Sequence, residues 1–271
     1  MEVVFWGTRG SIPVSGPKYI EFGGNTPCLQ IKLASTRDTV IIDSGSGIRE
    51  LGLQLVRSAD LHSKHIHLFL THAHWDHIQG FPFFIPAYVP GFSLDIYCTK
   101  DAQAILSNQM RTPFFPVGLD AMMATRNFTL LESAGTTKIG EGTVRNIPLP
   151  HPQESTAFRI DEHGHSVVFA TDTEHNPDHV NETLLALAEG ADVLIYDAQY
   201  TSEEYRAGKQ GWGHSTFMEA IKLARAAKVG RLVLYSHDPG HDDEMLRAIE
   251  AAAQREMPNT AAARDGMVLT F

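Results

Sequence analysis

Apolar and polar positions follow two rhythms along this chain. Short β-branched runs predict strands at Val3–Phe5, Cys28–Leu33, Thr39–Asp43, Ile66–Leu70, Leu94–Cys98, Thr143–Ile147, Ser166–Ala170, Val193–Tyr196 and Leu232–Tyr235. Helical spacing is clearest at Thr183–Ala188, Thr216–Ala227 and Asp243–Arg255, each opened by polar or acidic residues suited to capping a first turn. These helices alternate with strands in the C-terminal half. Phe81–Pro90 and Arg111–Val117 are rich in Pro and Phe, which suits irregular loops packed over a site and shaping access to it. No composition break, charged linker, long-period repeat or low-complexity tract interrupts the pattern, so residues 1–271 read as one domain.

Polar residues of chemical interest gather where the predicted strands end. After Ile66–Leu70 comes Thr71-His72-Ala73-His74-Trp75-Asp76-His77, with three His and one Asp inside six residues. If the chain leaves a strand here and turns into a helix, His72 and His74 point the same way while Asp76 and His77 reach a neighbouring point. That spacing suits two adjacent metal sites. A lone His is more often a satisfied core or surface residue, but this density at one strand end is not explained that way. Neutral imidazole and carboxylate suit Zn²⁺, Mn²⁺ or Fe, whereas thiolate is missing here and a Ca²⁺ site would use oxygen alone. Four ligands cannot complete two sites, and further donors stand past other predicted strands: His151, Asp172 and His237. Two such ions lower the pKa of a bridging water, so that hydroxide forms near neutral pH, and clamp substrate oxygens. Water is therefore the expected nucleophile. Gly7-Thr8-Arg9-Gly10-Ser11 looks like a phosphate-cradling loop but lacks the Gly-Lys-Ser/Thr ending of a P-loop, which leaves it a structural turn or part of the site rim.

Charge narrows the substrate. The formal net charge is −10 over 271 residues, which opposes binding along phosphate backbones, since that depends on clustered Lys and Arg. Extended nucleic acid is thus a poor first expectation. Two divalent ions would move the charge to −6 and place positive charge where a small anion could sit. Cys28 and Cys98 lie in apolar stretches without zinc-knuckle or redox spacing and read as buried thiols. Met1–Gly7 has no basic region followed by an apolar run, and no stretch approaches a membrane span, so the expected location is cytoplasmic with no membrane partner. A homo-oligomer is left open.

His-x-His-x-Asp-His followed by isolated His, Asp and His resembles the metallo-β-lactamase superfamily, over nearly the whole chain. The resemblance implies an α/β fold, a four-layered αββα sandwich with two metal ions at one edge of its sheets. It gives one ion to His72, His74 and His151, the other to Asp76, His77 and His237, with Asp172 bridging. Asp43, in Ile41-Ile42-Asp43-Ser44-Gly45, matches the superfamily Asp that supports the His loop through hydrogen bonds, although a plain Asx-turn would read the same way.

Three segments resemble the phosphodiesterase branch of that superfamily, which contains tRNase Z and the cyclic-phosphate and cyclic-nucleotide phosphodiesterases. They are Gly7–Pro13 with Gly23-Gly24-Asn25-Thr26, Tyr196-Asp197-Ala198-Gln199-Tyr200, and Gly213-His214-Ser215-Thr216. The second departs from the tRNase Z pattern in carrying Asp where that family has Glu. An Asp197–His214 pair has a clear use: the carboxylate orients the imidazole and favours its protonated form, ready to serve the departing alkoxide. The alternative is a helix-capping segment with a surface His. Asp76, Asp197 and His214 are thus the expected catalytic residues. The long basic arm with which tRNase Z grips tRNA has no counterpart, since Thr137–Asp172 holds only Lys138, Arg145 and Arg159 as basic residues. The expectation is a hydrolase of small, cyclic phosphodiesters. A lactonase or thioesterase-like hydrolase, a tRNase Z-like ribonuclease and a non-catalytic metal-binding sensor are the competing readings. Trp212 could stack on a base or sugar, while Trp75 is expected to pack against the metal loop. His175, His179 and His241 stand near these segments without a place in the seven-ligand pattern, and His241 competes most directly with His237.

Overall fold

A computed structural model describes residues 1–58 and 63–271. Two seven-stranded mixed sheets face each other. The first runs β14 (Val268–Thr270), β1 (Glu2–Gly7), β2 (Cys28–Lys32), β3 (Thr39–Ile42), β4 (His65–Phe69), β5 (Ser93–Cys98) and β6 (Thr125–Leu130). The second runs β13 (Thr260–Ala262), β12 (Arg231–Tyr235), β11 (Val193–Asp197), β10 (His165–Ala170), β9 (Ser155–Glu162), β8 (Gly142–Leu149) and β7 (Gly135–Ile139). The helices are α1 (Ile48–Arg57), α2 (Trp75–Ile78), α3 (Ala102–Gln109), α4 (Glu182–Ala188), α5 (Ser202–Glu204), α6 (Phe217–Ala226) and α7 (Asp243–Glu256).

Side-chain alternation turns these elements into layers. In β10, Val167 and Phe169 face the other sheet, while Val168 and Ala170 face α4 and α6. In β4, Phe69 points between the sheets, while Ile66 and Leu68 meet Leu51 and Leu55 of α1 and Leu106 of α3. Strands covered on both faces need apolar residues at nearly every position, which is why they read as continuous apolar runs rather than alternating ones. Three apolar layers hold the four-layered αββα sandwich together: one between the sheets and one beneath each set of helices. Cys28 and Cys98 are buried free thiols. Among the described residues no helix is long and apolar enough to cross a membrane.

Two details correct the sequence reading. Phe81–Pro90 is not wholly irregular: Phe81–Phe83 and Ile85–Tyr88 form short 3-10 turns, and Phe81, Phe84 and Ala87 are buried in the core beneath α1. Trp75 does not pack against the metal loop, and 64% of its surface is exposed.

Candidate metal centre

The parallel strands deliver their C-terminal ends to one edge of the sandwich, and the chain turns sharply there. Asp43 after β3, Asp172 after β10 and Ser236 after β12 all sit in the left-handed region, at φ of 63, 55 and 59°. Asp tolerates that region better than most residues, because its short side chain can bond locally. Such conformations cost of order 1–3 kcal/mol each and collect where a site must be shaped. Beyond β4 the chain bends at Thr71, reaches His74 in extended conformation and then enters α2, so that His72 and His74 join one ligand group while Asp76 and His77 emerge from the helix.

His72, His74, His151 and Asp172 bring one ligand atom each to within 4.8 Å of the others, and Asp76, His77 and Asp172 form an adjoining group. Asp172 belongs to both. Its Oδ2 lies 3.5 Å from His72 Nε2 and 3.7 Å from His151 Nε2, while its Oδ1 lies 3.4 Å from His77 Nε2. His77 Nε2 is also 3.4 Å from Asp76 Oδ2. These separations exceed a good hydrogen bond. They match the edge of a tetrahedron whose donors stand about 2.0–2.1 Å from a central ion, roughly 3.3 Å.

The outward nitrogens of these rings are held, which fixes the tautomers. Asp43 Oδ2 accepts from His77 Nδ1 at 2.7 Å, and Asp43 Oδ1 accepts the Thr71 N–H at 2.8 Å. Thr71 Oγ1 meets His72 Nδ1 at 3.0 Å, and the Gly213 carbonyl accepts from His151 Nδ1 at 2.7 Å. Nε2 is therefore the inward atom of His72, His77 and His151. Nε2 of His72 and of His77 is buried with no hydrogen-bond partner. Leaving such an atom unsatisfied is costly, and a divalent transition-metal ion supplies the missing partner, so the donor set fits the ions expected from the sequence.

The electrostatics agree with this fit. Burial pushes Asp172 toward protonation, but His77, His214 and His72 outweigh it and hold the carboxyl well below its usual range. Burial, with His77 beside it, drives His72 well below the ordinary imidazole value and keeps its ring neutral, as a ligand must be. His77 goes the other way: burial lowers it, but Asp172, Asp76 and Asp43 raise it well above the usual value. Those carboxylates call for positive charge, which a proton or a metal ion can provide.

His237 stands apart from both ligand groups. Its Nε2 donates to the Ala263 carbonyl at 2.9 Å, and burial lowers its pKa to about 3, leaving Nδ1 as the free lone pair of a neutral ring. The Gly7–Ser11 loop runs alongside, with Gly10 N–H donating to the His237 carbonyl at 3.0 Å and Ser11 N–H to Asp76 Oδ2 at 2.8 Å. That loop is part of the rim. His241 is turned away, paired through Nε2 with Glu204 at 2.8 Å. His175 and His179 border a neighbouring groove with Pro150 and Tyr205.

Asp197 links the metal ligands to His214. Its Oδ2 accepts from Asp172 N–H at 3.0 Å and from His214 Nδ1 at 2.7 Å, and its Oδ1 accepts the Ser215 N–H at 2.9 Å. Burial alone would lower the His214 pKa, but Asp197 and Asp172 raise it to about 9. With only 9% of its surface exposed, His214 is no surface neighbour of a helix cap; Thr216 performs the capping, accepting from Glu219 N–H. Glu174 had no distinguishing spacing in the sequence. Its carboxylate accepts the N–H groups of Gly211 and Gly213 at 2.7 and 2.9 Å and the Tyr205 hydroxyl at 2.7 Å, and so fixes the loop that carries His214.

Two sheets between helices, with a His and Asp cluster at the strand ends, define a metallo-hydrolase fold. Residues 38–237 match the β-lactamase superfamily domain, and the chain belongs to that superfamily. It is 23% identical over 330 residues to ribonuclease Z of Synechococcus sp. (strain CC9902), covering 99% of this chain and 97% of that one. Its fold is similar to that of the metallo-β-lactamase fold protein YhfI from Bacillus subtilis, with TM-score 0.74, 20% identity and 99% and 98% of the two chains covered. A diphosphatase from the PhnP family also matches, with TM-score 0.71, 18% identity and coverage of 100% and 97%.

Proposed function

We propose that this chain is a dinuclear metal-dependent phosphodiesterase that hydrolyses small, cyclic phosphodiesters, using two divalent ions, Zn²⁺ first and Mn²⁺ or Fe as alternatives. The observation that carries the reading is the buried Asp197–His214 pair joined to the bridging ligand Asp172. When bound, the ions supply Lewis acidity toward phosphate oxygens and an activated water. His72, His74 and His151 would hold one, Asp76 and His77 the other, and Asp172 both; the sequence pattern adds His237 to the second ion, although its ring stands apart from that group here.

The remaining work falls to the chain. Asp197 occupies Nδ1 of His214, so Nε2 is the nitrogen left to meet a substrate, and the raised pKa keeps a proton on the ring at neutral pH. Bound cations would offset the Asp172 contribution, leaving Asp197 at 2.7 Å to retain that proton. An imidazolium so placed can protonate an alkoxide as it leaves phosphorus. A lactone or thioester would not require it. The free buried thiols Cys28 and Cys98 support a reducing compartment, the cytoplasm, as the setting of the reaction.

A ribonuclease Z-like activity is the second reading, favoured by the relative of that name that matches along almost its full length. Against it, β7, β8, β9 and β10 are joined by short turns with no room for an arm. Lys138 donates to Thr143 and Arg145 to Asp161, while Arg159 bonds Asp161 and the Leu187 carbonyl, so the basic residues of this stretch are engaged within the fold. Assays of the Zn²⁺- and Mn²⁺-loaded protein on bis-p-nitrophenyl phosphate, cyclic nucleotides, a lactone and a thioester test the reading. Turnover of the diesters is expected; turnover of the lactone or thioester alone would refute it.

A further inference from the structure

A second group of metal-type donors sits at the other end of the sandwich. His65 and His67 share the inward face of β4 with Phe69, since side chains alternate along a strand, and their ring centroids are 4.3 Å apart. Asp38, just before β3, brings Oδ2 to 3.4 Å from His65 Nδ1 and 3.5 Å from His67 Nε2. All three ligand atoms lie within 4.8 Å of one another. These are the same separations that Asp172 keeps from His77 and His72, 3.4 and 3.5 Å. They are too long for strong hydrogen bonds and close to the roughly 3.3 Å edge of a tetrahedral site.

The opposite ring nitrogens are anchored, as at the first centre. His65 Nε2 meets Asp95 Oδ2 at 2.8 Å, and His67 Nδ1 meets the Tyr97 hydroxyl at 3.1 Å. Asn127 Nδ2 in turn donates to Asp95 Oδ1 at 2.8 Å. Strand register builds this support, because parallel pairing sets His67 opposite Asp95 and Asp95 opposite Asn127. A carboxylate behind a ligating imidazole orients the ring and raises its basicity, the role Asp43 plays for His77. His67 precedes His72 by five residues, which at about 3.3 Å per strand residue corresponds to at most roughly 16 Å along the chain.

We propose that Asp38, His65 and His67 bind a further divalent transition-metal ion, Zn²⁺ by donor chemistry, with Asp95 and Tyr97 orienting the two imidazoles. Among the described residues the chain supplies three ligands, and with His65 and Asp38 partly exposed water completes the site. The ion ties the approach to β3 onto β4 and so serves as a structural clamp.

The test is a zinc titration of the chelator-stripped protein, with bound ions counted by native mass spectrometry. The wild type should bind one more ion than Asp38→Asn or His65→Gln, whatever the number held at the first centre. Asp95→Asn keeps all three ligands and should weaken the extra ion by about 10–100-fold, as loss of such support typically does. All three variants should retain diester hydrolysis, which shows that they fold. Equal ion counts and affinities in wild type, Asp38→Asn and His65→Gln would overturn the proposal.

Discussion

In the proposed reaction His214 needs its proton held in place beforehand, and Asp197 is positioned to do this at 2.7 Å. His214→Ala should leave the metal content unchanged but lower kcat on an alkyl or cyclic phosphodiester by roughly 10²–10⁴-fold, the usual worth of general acid catalysis. The p-nitrophenyl diester should suffer less, because its leaving group departs without a proton; equal losses would mean that His214 only positions substrate. The pH profile supplies a second check. The protonated ring is the active form, so the rate on the alkyl diester should fall as pH rises toward the His214 value of about 9, less the share of Asp172 that the ions neutralise, and His214→Ala should lack that limb. Stability follows the same sign: the raised pKa contributes fully below about 6.5 and is lost as pH climbs through the folded value. At this scale the sequence was informative where chemistry is dense. His72, His74, Asp76 and His77 stand out by spacing alone, whereas Glu174 does not, because its partners are backbone N–H groups of a loop far along the chain.

Elements place these residues, and their turns are demanding. Gly213 adopts φ of +87°, and a Cβ there would lie 2.3 Å from His151 Nδ1 and 2.4 Å from Pro152 Cδ. The Gly213 carbonyl also holds His151 Nδ1, so one position governs both the loop bearing His214 and the aim of a metal ligand. Gly213→Ala should therefore displace His151, reduce metal occupancy at the His72, His74 and His151 group, and lower the Tm through a strain of about 1–3 kcal/mol. Metal analysis alongside a circular dichroism melt checks this, and unchanged values for both would show that the loop yields without moving His151. Strands with apolar faces on both sides were legible to within a residue or two, β10, β11 and β12 among them. β6 and β7 were not, because TRNFTL buries no residue fully, GTTKI buries only Ile139, and neither carries an apolar run. β9 escaped for another reason: Arg159 and Asp161 interrupt a strand whose other residues are mostly buried. In α1, Gly52 interrupts the helical pattern, yet its lack of a side chain lets Phe84 and Pro86 pack against the helix.

At the scale of the whole molecule, charge and outline decide what can reach the site. An alignment of 330 positions with a chain of 271 residues leaves at least 59 positions of the Synechococcus ribonuclease Z without a counterpart here. The surface that remains is acidic, with a net charge of −10, and the strands between His151 and Asp172 are joined by the two-residue turn at 163–164. With the proposed ions bound, the site would stand as a local positive point on an acidic body, an arrangement that favours a small anion over a polyanion. The most direct measurement is kcat/KM for a cyclic nucleotide set against that for a tRNA precursor with a 3′ trailer, each over a range of salt. A higher value for the cyclic nucleotide and only a shallow salt dependence are expected. Efficient trailer cleavage that falls steeply with salt, with the cyclic nucleotide left nearly intact, would contradict it.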